Sequence, residues 1–192
     1  MSLASYLKAA QYDLENAANR LYPSDKKVET AGLNRAVYDS VQAFEKILKA
    51  IVTDGFERNN PFPSYDKLQE HNDLIYSHDM RGILLEAEKY SNGLIAKHSY
   101  LSDNSYAMGK DLNMLRYPTH YSLPKKSAYI IYKEARDFYN ETVCKYYDDV
   151  VKQNSLLISE TLDSEAEREW CSLKPPSRKI KNENSKYDYS NR

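Results

Sequence analysis

Apolar residues stepping by four and three constrain this chain more than any other feature. Leu3, Leu7, Ala10, Leu14, Ala17 and Leu21 keep that step, and Val37, Val41, Phe44, Leu48 and Ile51 repeat it. The step lines up a seam along one side of a helix and suits nearly antiparallel packing. Ala36, Ala43, Ile47 and Ala50 widen the second stripe, which predicts a helix buried on more than one side. Small Ala10, Ala17 and Ala18 let a neighbour approach closely. Strand-like alternation is hard to find and only 5 of 192 residues are Gly. The chain therefore reads as all-α, with room for one domain and a tail.

The punctuation sets the expected elements. Helix one runs over 2–22 and stops at Pro23 and Ser24-Asp25. Helix two runs over about 28–53, with Asp54-Gly55 as its stop, and 56–64 is a loop. A short helix spans Tyr65 to Ile75. Ser77 then reads as the N-cap of helix three, with Asp79 in its first turn. Ile83, Leu84, Ala87 and Tyr90 give that helix its apolar side, and Asn92-Gly93 ends or interrupts it. Ser102 to Ser105 reads as a loop tip or an N-cap, and a further helical piece runs from about Tyr106 to Arg116. The last long helix covers about 123–153, with Pro124 in its first turn. Its row is Ala128, Tyr132, Ala135, Tyr139, Thr142 and Tyr146, flanked by Ile131, Phe138, Val143 and Val150. The expected division is a bundle over 1–153, a short docking helix or linker over 154–173, and a polar, partly basic, flexible tail over 174–192. Leu156 to Ile158 and Leu162 are expected to dock on the bundle.

Charge and composition exclude several classes. The net charge of -1 gives no global attraction to nucleic acid or to an anionic membrane. No apolar run approaches the roughly 20 residues needed to span a bilayer, and the N-terminus carries no signal-peptide pattern. Cys144 and Cys171 lack metal spacing and read as reduced thiols, so a cytoplasmic protein is expected. Tyrosine is abundant at 18 residues against 4 Phe. Tyr fills a bundle core while its hydroxyl reaches the edge, or it stacks on bases or builds an interface; both readings stay open.

The densest chemistry lies at Leu112-Asn-Met-Leu-Arg-Tyr-Pro-Thr-His-Tyr121. Pro118 stops a helix and leaves Arg116 in its last turn, where a cation suits the helix dipole. A guanidinium beside the His120 imidazole makes a phosphate-handling pair. The plainer reading is a capping Arg116 and a turn residue His120. Glu45, Lys46 and Lys49 form either an exposed charged face or part of a nucleotide cleft. His71 and Asp73, with His78 and Asp79 nearby, can be drawn as a metal site, but a helix start and surface residues explain the same letters. No metal and no cofactor is expected.

Three segments resemble one known family. Gln42-Ala-Phe-Glu45-Lys46-Ile-Leu-Lys49-Ala50 resembles the second-helix signature of HEPN domains. His78-Asp79-Met80-Arg-Gly-Ile-Leu84 is similar to the family's His-Asp-Leu helix opening, and Leu115-Arg116-Tyr117-Pro118 matches its Arg-Tyr-Pro before the last long helix. The resemblance covers about residues 1 to 153. It implies an antiparallel bundle of four or five helices, often a homodimer, that works on nucleotides or RNA. One branch consists of metal-independent ribonucleases, frequently toxins or defence effectors, with Arg and His from two subunits meeting in a dimer cleft. Another branch partners with small nucleotidyltransferases. Carried onto this chain, the catalytic pair would be Arg116 and His120, with Lys46, Lys49, His78, Asp79, Tyr117 and Tyr121 as nucleotide- or RNA-binding residues. Arg116 and His120 are separated by three residues rather than the family's four to six. That spacing and the Arg-Tyr-Pro form favour a binding module over a metal-independent endoribonuclease.

Overall fold

The stepped seams become the core. The computed structural model describes residues 1–23, 30–100, 103–104 and 125–158. Helix α1 spans Leu3–Leu21, and the Ser2 hydroxyl caps it by accepting the Ser5 amide. Leu7, Ala10, Leu14, Ala17 and Leu21 of the predicted seam are all buried. Helix α2, Thr30–Asn59, buries both its seam and the widened stripe, from Ala36 through Ile51. It packs against α1 and, further on, against the helices Met80–Ser91 and Lys125–Tyr146. The predicted many-sided burial of this helix is what the structure has.

Gly55 does not stop α2. The helix runs on to Asn59, and the loop is correspondingly shorter than 56–64. A Cβ on Gly55 would lie 2.2 Å from Cγ of Tyr90, so glycine here lets the Tyr90 ring press against the helix backbone.

Helix α3 is Tyr65–Tyr76, capped by Ser64. Ile75 is its one buried residue. Ser77 closes α3 instead of opening the next helix. Its amide reaches back to the carbonyls of Asp73 and Leu74, and its hydroxyl donates to the Leu74 carbonyl. Asp79 occupies the N-cap position of α4, Met80–Ser91, without a side-chain cap bond. Left-handed Asn92 and Gly93 end α4 as the sequence predicts, and the single turn α5, Leu94–Lys97, follows. Asp103 and Asn104 are helical. The pieces expected over 106–121 and at Pro124, Leu162 and 174–192 lie outside the described residues.

Helix α6 spans Lys125–Tyr146 and buries all six residues of its predicted row. It does not continue to 153. The chain breaks at 147–149, and Asp149 caps α7, Val150–Leu156, by accepting the Lys152 amide. Val150 is consequently 64% exposed rather than a flank of the row. Leu156 docks on the bundle, and Asn140 exchanges hydrogen bonds with both backbone groups of Ile158.

Three tyrosines of α6 tie down the ends of other helices. Tyr129 donates to the Leu21 carbonyl at 2.7 Å, Tyr146 to the Tyr90 carbonyl at 2.8 Å, and Tyr139 to the Leu156 carbonyl at 3.0 Å. Each acceptor belongs to the last turn of its helix, where carbonyls lack helical partners. Burial pushes the Tyr139 phenol well above its ordinary value. No strand occurs among the described residues, and the fold is an all-α bundle. No helix among them is long and apolar enough to cross a membrane.

Candidate functional site

The middle of α2 meets the corner between α3 and α4. Glu45 and Lys49 stand one turn apart and both are buried, at 5% and 7% exposure. Lys49 Nζ donates to Glu45 Oε1 at 2.6 Å and to the Ser77 carbonyl at 3.0 Å. His78 Nδ1 lies 3.2 Å from the same Glu45 oxygen. The exposed-face reading of Glu45 and Lys49 is thereby overturned. Their helix turns this edge inward, and the Ser77–His78 corner covers it.

The His78 side chain itself is open to solvent, 83% exposed. The site therefore grades from a buried carboxylate–ammonium pair to an accessible imidazole within one hydrogen-bonded chain. Tyr6 of α1 is buried nearby. Burial raises its phenol above the ordinary value, and the neighbouring Tyr76 and Glu45 raise it further. One imidazole nitrogen of His78 thus faces a buried carboxylate while the ring stays open to solvent.

Lys46 faces the other way and forms an ion pair with Asp13 of α1. Burial raises the Asp13 carboxyl, and the Lys46 contact opposes that rise without cancelling it. Asp79 is exposed, and its backbone amide donates to the Ser77 hydroxyl at 3.3 Å. Of the predicted residues, the fold thus brings Lys49 and His78 together through Glu45 and leaves Lys46 on the α1 side. Arg116, Tyr117, His120 and Tyr121 lie outside the described residues.

The drawn metal set does not assemble. His71 stacks on Phe56 with ring centroids 4.0 Å apart, Asp73 accepts from Gln69, and His78 is taken by Glu45. Among the described residues no three His, Cys, Asp or Glu side chains converge. Sequence reasoning missed Tyr6, the Ser77 carbonyl and Asp13. Asp13 had a signal, a charge adjoining Leu14 of the apolar seam. The Ser77 carbonyl had none, because a backbone group carries no letter. No family model, no curated protein and no solved structure matches this chain.

Proposed function

We propose that this chain is a HEPN-like helical module that takes part in nucleotide or RNA transactions, as a homodimer or as the partner of a nucleotidyltransferase-type protein. One observation carries the reading. Two of the segments that resemble the family, far apart in sequence, meet side chain to side chain at 3.2 Å between Glu45 and His78. The buried pair behind that contact supports it as well. A buried ion pair is weak as a stabiliser, since desolvation offsets most of the attraction. Holding an exposed histidine ready for an anionic ligand gives Glu45 and Lys49 a use that packing alone does not.

The test is fluorescence anisotropy with a labelled single-stranded RNA and with nucleotides, together with light scattering for the oligomeric state. Wild-type protein should bind as a dimer, and His78→Ala should weaken binding about tenfold, the worth of one charge-assisted hydrogen bond. Folded protein that binds neither RNA nor nucleotide overturns the reading. Metal-independent RNA cleavage in EDTA that disappears in His120→Ala would replace it with an endoribonuclease using Arg116 and His120.

A further inference from the structure

A second hollow, separate from the Glu45–His78 corner, lies between the end of α2, the turn at Pro61 and α3. It encloses about 380 Å³, within the range of small-molecule sites. Leu68 and Tyr76 of α3 form part of its apolar wall. Its polar wall is unusual because it includes a buried hydroxyl that is not engaged. Thr53 is 3% exposed, and its hydroxyl finds no hydrogen-bond partner. A helical threonine ordinarily returns its proton to the carbonyl one turn back, so this buried hydroxyl requires an explanation. The side chains of Glu57, His71 and Asn72 line the same hollow and, among the described residues, make no hydrogen bond or ion pair, although the His71 ring stacks on Phe56.

The four groups define a ligand. Thr53 and Asn72 each donate and accept, and Glu57 accepts. Burial lowers the His71 pKa, which keeps the ring neutral with one donor and one acceptor nitrogen. An anion would need donors only; no Lys or Arg lines the hollow, and the Met1 amino terminus near His71 is opposed by the Glu57 carboxylate. A simple cation would need acceptors only. A mixed edge beside apolar walls fits a flat, uncharged heterocycle with alternating donors and acceptors. Phe56 and His71, already stacked, close one side as a rigid plate. An adjoining smaller hollow shares Phe56, Asn60 and His71, and there Glu70 and Glu86 outnumber Lys67. The Glu57 carboxylate on one side of the plate and Glu70 and Glu86 on the other disfavour phosphate.

We propose that this hollow binds a nucleobase, as a free nucleoside or as one base of a single strand, with Thr53, Glu57, His71 and Asn72 reading its edge. The proposal rests on the nucleotide- or RNA-handling reading and specifies which part of the ligand is held, and where. The experiment is saturation-transfer NMR and calorimetry on the full chain with adenosine, cytidine, guanosine and uridine, run beside an RNA titration. At least one nucleoside should saturate the wild type, and Leu68→Trp, which fills the hollow from an exposed position, should abolish that binding. Thr53→Val should keep the melting temperature, since its hydroxyl bonds nothing in the free protein, yet weaken the nucleoside about fivefold to tenfold. Unchanged affinity in either variant overturns the proposal. So does a response to arginine methyl ester with none to nucleosides. RNA binding without nucleoside binding overturns the hollow and spares the module. Nucleoside binding with neither RNA nor nucleotide binding does the reverse, and failure of all of them removes both.

Discussion

Glu45 and Lys49 are an i,i+4 pair that any reader of α2 can find, and on an exposed helix such a pair is worth only a few tenths of a kcal/mol. Here both side chains are more than nine-tenths buried, so the energetics change sign with the order of removal. Taking one partner strands the other away from water and costs about 3–5 kcal/mol. Glu45→Leu and Lys49→Met should each destabilise by that amount in urea unfolding, while the double variant should cost less than either. Additive losses would mean that the two charges do not sense each other. The pairing was legible in the sequence and its burial was not. The cover comes from Ser77 and His78, and Ser77 contributes a carbonyl that every residue possesses. The partner of His71 was illegible for a related reason: it is the face of Phe56, and a ring face leaves no trace in motif spacing.

Element boundaries were readable where the chain itself sets them and unreadable where a neighbour does. The Asn92-Gly93 stop is local, and it holds. Asp54-Gly55 has the same appearance, yet Tyr90 across the interface needs the glycine and the helix continues. Asp149 opens a new helix inside what periodicity joins into one, because an N-cap and a solvated turn residue share a letter. The α1–α2 interface carries two carboxylates, Asp13 and Asp39, that break its apolar surface. Burial pushes Asp39 above its ordinary pKa, although Arg20 and Arg35 pull the other way. The native state then holds this proton to higher pH than the unfolded chain does. Its contribution to stability is full below the unfolded pKa and is lost as pH rises through the folded one. Melting curves of wild type and Asp39→Asn should therefore shift relative to each other in favour of the wild type as pH falls from neutrality toward about 4. A constant difference across that window would show that the aspartate titrates alike in both states.

At the scale of the molecule, α2 is the post around which α1, α4 and α6 are arranged, and α3 is fastened chiefly by Ile75, the His71–Phe56 stack and the Ser77 corner. Amide exchange read by mass spectrometry should rank them accordingly. The centre of α2 should exchange last and only through global unfolding, with α3 orders of magnitude sooner. Equal protection in α3 and α2 would contradict this hierarchy. The seams of α1, α2 and α6 were readable because core-facing periodicity survives whatever the neighbours are. The tyrosine excess was readable only as a choice between uses, and α6 shows one of them in three hydroxyls bonded to the ends of α1, α4 and α7. Those bonds have a bearing on how the protein is born. A ribosome releases the chain from its N-terminus, so α1 and α2 can pair while α6 is still unmade. The last carbonyls of α1 and α4 must wait for tyrosines encoded about a hundred and about fifty residues later. Until then the nascent bundle has its core but lacks its fasteners, and a truncated product would emerge with those helix ends unsealed.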